Sequence, residues 1–203
     1  AGERGEEIRR LCLGAPKYGN EDPEADGMLH DIGKFSASVI SSQINLAGQP
    51  YAVNRNGVSW HYYGGKGVGS LPDGRKSGEP LADGSLSPMR GVDRFGPTAV
   101  LNSAVAADFS ESAIAILNQR FPRALLNSAD AIDKLAALTE SYMRNGGSHI
   151  QYNLLDHRTL LEAKQHPERF KDLVVRIAGY SAYFIHLTPE VQDDIIRRTE
   201  QAL

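Results

Sequence analysis

Arg176-Ile177-Ala178-Gly179-Tyr180-Ser181-Ala182-Tyr183-Phe184 is the stretch on which this sequence turns. It overlaps the end of Leu173-Val174-Val175, an apolar run that reads as a buried strand, and places one glycine before a second apolar run. A glycine there is ordinarily backbone punctuation, a turn needing positive φ. Glycine also has a chemical property of its own. An unpaired electron on an α-carbon is stabilised by delocalisation into the two flanking amides, and this requires a planar α-carbon. A Cβ would clash with the neighbouring peptide groups in that planar form. Glycine has none and tolerates unusual backbone angles. Gly179 is open to both readings, and the rest of the chain separates them.

The 203 residues leave room for one or two compact units, and a hydrophobic content of 41% fits a globular core. Twenty-two basic and 25 acidic residues give a net charge of −3, which disfavours binding to nucleic acid or an anionic membrane. Lys66, Arg75, Lys76 and Arg90 form no dense basic patch. No run of 18 apolar residues occurs, so no membrane span is expected, and Ala1 to Glu7 has no signal-like apolar segment. The single cysteine, Cys12, excludes an internal disulfide framework and suits a reducing, cytoplasmic compartment. It reads as a small buried hydrophobe. The six histidines lack metal-ligand spacing, so no metal is expected. The sequence opens without an initiator methionine, and Glu3 to Leu13 looks like the end of an amphipathic helix whose partners are missing. The expectation is a cut or split point inside a longer fold.

Pro23, at a first helical position among Glu21, Asp22, Glu24 and Asp26, predicts a helix start. Met28, Ile32, Phe35, Val39, Ile40 and Ile44 follow at helical spacing until Gly48 and Pro50. Tyr51 to Tyr63 has strand character with broken alternation. Gly64 to Arg94, rich in Gly, Pro, Ser and Asp, is too long for an ordinary connection and reads as disordered or functional. Its apolar and charged residues between Leu71 and Gly84 argue against low complexity. Beyond it come a helix over Pro97–Ala107, a segment over Ser112–Phe121 that reads as strand or helix, with strand favoured, and a helix from Ser128 or Asp130 to about Asn145. A strand over Ser148–Leu155, a helix over Thr159–Gln165, a strand over Leu173–Ile177 and a helix opening at Thr188-Pro189-Glu190 complete an α/β alternation.

Segments spread over essentially the whole chain resemble one family in its own order. They are Pro16 to Asp22, Asp73 to Gly84, Gly96 to Ser103, Leu117-Asn118-Gln119-Arg120-Phe121, His149-Ile150-Gln151-Tyr152-Asn153, and Asp172 to Arg198 with the Arg176–Phe184 loop. Together they are similar to the glycyl radical enzymes, the pyruvate formate-lyase superfamily. The resemblance implies the C-terminal part of a ten-stranded α/β barrel over residues 1–72 and a glycine radical domain over 73–203, its glycine loop inserting into the barrel. It also implies a radical stored on Gly179, with Arg176, Ala178 and Tyr180 forming its loop. No bound cofactor is implied. A separate activating enzyme, using S-adenosylmethionine and an iron–sulfur cluster, takes a hydrogen atom from the glycine. The glycyl radical oxidises a cysteine to a thiyl radical, which takes hydrogen from substrate.

The family's catalytic cysteine belongs to a loop upstream of anything matched here, so the chain carries the radical store and lacks the thiol. Its expected partners are the activating enzyme, an upstream barrel segment or subunit supplying that cysteine, a small-molecule substrate and further copies of itself in a homo-oligomer. Tyr62 and Tyr63 are candidates for the substrate side, against simple packing on barrel helices. His149, Gln151 and Asn153 alternate onto one strand face, either as polar groups near the site or as a buried network satisfying backbone. The Asp73–Gly84 string and Gly179–Phe184 look more like the diol-dehydratase and other lyase branches than pyruvate formate-lyase. The leading expectation is therefore radical cleavage of a C–O, C–N, C–S or C–C bond in a small polar molecule. The alternatives are an autonomous spare-part protein, a formate acetyltransferase or decarboxylase type, and a non-catalytic module with a mere turn glycine.

Overall fold

The computed structural model describes residues 2–198, 200 and 201, so the outermost bounds expected for the two units, Ala1 and Leu203, lie outside the described residues. Its axis is strand β2 (Ser112–Phe121), buried along most of its length and flanked on both sides by parallel neighbours, β1 (Val53–Arg55) and β3 (His149–Leu154). The register with β3 runs from Ile116 opposite His149 to Phe121 opposite Leu154. Parallel pairing requires a crossover between strands. The β2–β3 crossover is helix α5 (Ala129–Arg144), capped by the Ser128 hydroxyl, which accepts from Ala131 N. The longer path from β1 to β2 runs through α3 (Trp60–Gly67) and α4 (Gly96–Ala106). The sheet thus crosses the boundary expected near residue 72.

Two cores form. Helix α4 exposes only a stripe of Thr98, Asn102 and Ala106, and Val100, Leu101 and Ala104 pack with Leu86, Ala115, Leu117 and Tyr142 beneath β2. The second core gathers Leu160 and Ala163 of α6 (His157–Gln165), Val175, Ile177, Phe184, and Ile195 and Ile196 of α7 (Pro189–Ile196). It lies beneath an antiparallel hairpin of β4 (Val174–Arg176) and β5 (Ser181–Tyr183).

At the N-terminal end, α1 (Gly2–Gly14) precedes α2 (Pro23–Ser41), whose N-cap Asp22 accepts from Glu24 N and Ala25 N. Helix α2 stops short of the apolar pattern's end. The hydroxyls of Ser36, Ser38, Ser41 and Ser42 donate to carbonyls three residues back, competing with the helix ladder. The Asn45 carboxamide then folds the chain by accepting from Ala47 N and Gln49 N.

Three expectations change. Tyr51 to Tyr63 is strand only at Val53–Arg55, and from Trp60 the chain is helical because His61 and Gly65 share a buried face at i, i+4 spacing. The second apolar run after Gly179 is the unforeseen strand β5. The long segment after α3 is ordered by Arg75, 1% exposed, whose guanidinium donates to the carbonyls of Gly65, Val68, Gly69 and Glu79. One buried planar fork replaces the missing secondary structure. Farther along, Gly84 (φ +62) lies so close to β2 that a Cβ there would sit 2.5 Å from the Ile116 carbonyl oxygen. That approach lets Ser85 N and Leu86 N donate to the same carbonyl.

Candidate functional site

The hairpin closes with Arg176 opposite Ser181 and Ile177 N donating to Tyr180 O at 2.9 Å, which leaves Ala178-Gly179 as a two-residue tip. Gly179 has φ +83 and Ala178 does not have positive φ, the requirement of a type II turn with glycine in its second central position. Ile177 and Ala178 are buried, whereas Gly179 and Tyr180 face outward. A Cβ on Gly179 would meet only the Ile116 Cδ1 atom, at an ordinary 3.6 Å. Backbone angle, not crowding, is what favours glycine here.

Side chains from three directions hold this tip. Asn153 on β3 brackets Arg176: its Oδ1 accepts from Arg176 N at 2.9 Å and its Nδ2 donates to Arg176 O at 3.0 Å. The carboxamide acts as an extra strand rung joining β4 to the parallel sheet. Gln151, two residues earlier on the same face, turns its Oε1 toward Arg176 Nε (3.0 Å) and Gly179 N (3.3 Å). Arg176 Nη1 reaches Ser181 Oγ at 3.2 Å across the hairpin. From the other side, Arg198 Nη1 donates to Ile177 O at 2.8 Å and pairs with Asp83 at 3.2 Å.

Behind Arg198 lies a buried ionic cluster. Asp194, 2% exposed, accepts from His61 Nε2 (3.1 Å), Arg90 Nη1 (2.8 Å) and Arg198 Nη2 (3.4 Å). Burial alone would raise its carboxyl pKa, but the His61 hydrogen bond with the Arg198 and Arg90 charges holds it below the usual carboxylate value. This cluster ties α3, the loop before α4, and α7 to the hairpin.

The sequence-predicted residues separate accordingly. Arg176, Ala178, Gly179 and Tyr180 form the tip. His149 opens the strand face that continues into Gln151 and Asn153. Its imidazole pKa is lowered, chiefly by burial and then by the Arg176 charge. Of the two readings of that face, Gln151 and Asn153 meet the buried network. Tyr62 is buried and stacks edge-on against exposed Tyr63 at 5.2 Å, while the Lys66 ammonium lies 4.7 Å over the Tyr62 ring. Neither tyrosine contacts the tip through the described hydrogen bonds. Cys12 is half-buried near the end of α1, a helix with no fully buried residue, rather than enclosed. Among the described residues, no group of three or more His, Cys, Asp or Glu side chains is placed to hold a metal ion.

Asp83, Asn118, Asp194 and Arg198 escaped sequence reasoning as site residues. The alternation His149-Gln151-Asn153 was the one legible signal, since period-two polar residues in a buried strand demand partners.

Comparison with known proteins places this geometry. The family model described as "Glycine radical" matches residues 82–185, half of the chain, and "Pyruvate formate lyase-like" matches residues 2–65. A trans-4-hydroxy-L-proline dehydratase from Clostridioides difficile is 38% identical over 92% of this chain and 23% of its own length. The glycyl radical subunit of a 4-hydroxyphenylacetate decarboxylase from the same species (strain CD196) is 36% identical over 95% of this chain and 21% of its own. The solved structure of the B12-independent glycerol dehydratase from Clostridium butyricum superposes with a TM-score of 0.92 at 39% identity, covering 99% of this chain and 26% of that one. The chain therefore spans about a quarter of the length of the relatives it matches. With half its residues under the glycine radical model, the chain belongs to the glycyl radical enzymes.

Proposed function

We propose that this chain is the radical-bearing portion of a glycyl radical lyase of the dehydratase type, and that Gly179 stores the unpaired electron. The observation that carries this reading is the hairpin tip. Within the residues matched by the glycine radical model, Gly179 stands at a sharp turn with its amide hydrogen-bonded, Ile177 and Ala178 buried before it, and its α-carbon facing outward. An outward glycine on a rigid base suits a loop completed by another part of the protein. The division near residue 72 into a barrel segment and a glycine radical domain belongs to the same reading, supported by the two matched stretches.

In this reading an activating enzyme, outside this chain, removes one hydrogen atom from the Gly179 α-carbon, leaving a radical delocalised over the flanking amides. A cysteine thiol in the remaining barrel returns a hydrogen atom to that carbon and becomes a thiyl. The thiyl then takes a hydrogen atom from a small polar substrate, the substrate radical loses its leaving group, and the product radical takes the hydrogen atom back from the cysteine, which becomes the thiyl again. This chain's residues supply position, with Gln151, Asn153 and Arg198 holding the hairpin tip through hydrogen bonds. Similarity to dehydratases at 38–39% identity supports elimination. Decarboxylation is the second reading, favoured by the 36% identity to the decarboxylase subunit, and product analysis separates the two.

The test is electron paramagnetic resonance of the assembled enzyme after anaerobic activation. A doublet from the remaining α-hydrogen is expected, and Gly179→Ala removes it. Because the position has room for a Cβ, that variant costs only the left-handed strain of about 1–2 kcal/mol and keeps its fold. An undiminished signal in Gly179→Ala overturns the assignment.

A further inference from the structure

Both backbone sides of the hairpin tip lead to one carboxylate. On one side, Arg198 Nη1 bridges the Ile177 carbonyl (2.8 Å) and Asp83 Oδ2 (3.2 Å). On the other, the Gly179 amide donates to Gln151 Oε1 (3.3 Å), Gln151 Nε2 donates to Asn118 Oδ1, and Asn118 Nδ2 donates to Asp83 Oδ2. Asp83 and Gln151 are buried.

The direction of this relay follows from donor inventory. A carboxamide has a donor end and an acceptor end, and an ionised carboxylate only accepts. Asp83 therefore draws the NH2 of Asn118, so the Asn118 oxygen faces Gln151. That oxygen draws the NH2 of Gln151, so the Gln151 oxygen faces the loop. Arg176 Nε, another donor, meets the same oxygen at 3.0 Å and reinforces the orientation.

We propose that Gln151 is a positioning residue for the radical glycine, with its polarity set by Asp83 through Asn118. The proposal rests on Gly179 being the radical site. A carbonyl accepting from an amide N–H makes that nitrogen a better electron donor. The nitrogen of the radical-bearing residue is one of the two groups into which the spin spreads. Gln151 thus fixes the plane of the Ala178–Gly179 peptide and increases the nitrogen's share of the stabilisation.

The assembled enzyme is compared as parent, Gln151→Leu, Gln151→Glu and Asp83→Asn. Before activation, hydrogen exchange of the peptide containing residues 177–180 is measured. Gln151→Leu should exchange about fivefold faster, the equivalent of one ordinary hydrogen bond. Gln151→Glu, which still accepts from Gly179 and Arg176 but loses the donor to Asn118, should exchange more slowly than Gln151→Leu. Asp83→Asn, free to reverse the relay, should fall toward Gln151→Leu. After anaerobic activation, electron–nuclear double resonance with and without deuterium exchange reports the coupling of the Gly179 amide proton. That coupling should change in Gln151→Leu and return in Gln151→Glu, an effect that loss of stability alone does not produce. Parental exchange and parental coupling in a folded Gln151→Leu overturn the proposal. If Gln151→Leu does not fold, parental values in Asp83→Asn overturn the relay. A fully activated parent with no glycine doublet overturns the reading of Gly179 and the electronic half of the proposal, while the exchange rates still decide whether Gln151 anchors the loop.

Discussion

Asp194 shows how much one buried residue organises around the tip. It faces three cationic or hydrogen-bonding side chains, and removing a partner from a buried ionic set leaves uncompensated charge, which typically costs about 3–5 kcal/mol. Asp194→Asn should lower the melting temperature strongly and loosen Arg198 from the Ile177 carbonyl. The pH dependence has a definite sign. The folded carboxyl titrates below its unfolded value of about 3.9. Its contribution is therefore fully present above that value and is lost as pH falls through the folded one. Melting curves from pH 6 downward should show an acid loss in the parent that is reduced in Asp194→Asn. Equal acid slopes would contradict the assignment of that loss to this carboxylate. In the proposed assignment, a carbon radical at Gly179 combines with O2 to give a peroxyl radical whose decay breaks the backbone. Air should cut activated protein at this residue, as mass spectrometry would reveal, and leave unactivated protein whole. Intact chain in both samples after full activation would place the radical elsewhere.

Among the elements, the segment between α3 and α4 depends on Arg75. Its guanidinium satisfies four carbonyls, and leaving buried acceptors unpaired costs about 1–3 kcal/mol each, partly recovered by water entry. Arg75→Ala should destabilise the protein by roughly 3 kcal/mol and expose residues 68–80 to limited proteolysis. Arg75→Lys should rescue little, because a compact ammonium cannot span the fork. Protease resistance equal to parent in both variants would show that other contacts order the segment. Composition alone left this stretch open between disorder and function, since Gly, Pro and Ser mark turns without saying whether a buried side chain collects them. The hairpin had the opposite history: β4 was legible as an apolar run, but β5 follows its glycine with Ser181-Ala182-Tyr183, too short to show a period.

For the whole molecule, the outer apolar faces dominate. Leu11, Met28, Ile32, Phe35, Val39 and Ile44 of α1, α2 and the turn beyond are all exposed, Phe35 by 70%. Each large apolar side chain left in water forgoes about 1.5–3 kcal/mol of burial. A stripe of this size marks an interaction surface. Produced alone, the chain should bind hydrophobic dyes and self-associate in sedimentation experiments. Joined to the remaining barrel, it should lose both properties and support turnover with substrate. A monodisperse, dye-silent isolated chain would count against a missing covering layer.

Sequence by itself determined the α/β alternation, the family, and the placement of Gly179 between two apolar runs. These are local or linear properties: hydrophobic period, turn chemistry, and a string of matched segments in order. It also placed Gln151 and Asn153 on one strand face without deciding their purpose. Tertiary structure alone decided that they fasten the hairpin tip, because their partners Asn118, Arg176 and Gly179 lie 23 to 33 residues away. The joining of Asp83, Asp194 and Arg198 behind the tip is of the same kind. Charged residues look like solvated surface in a sequence, and only packing removes their water and obliges them to find one another.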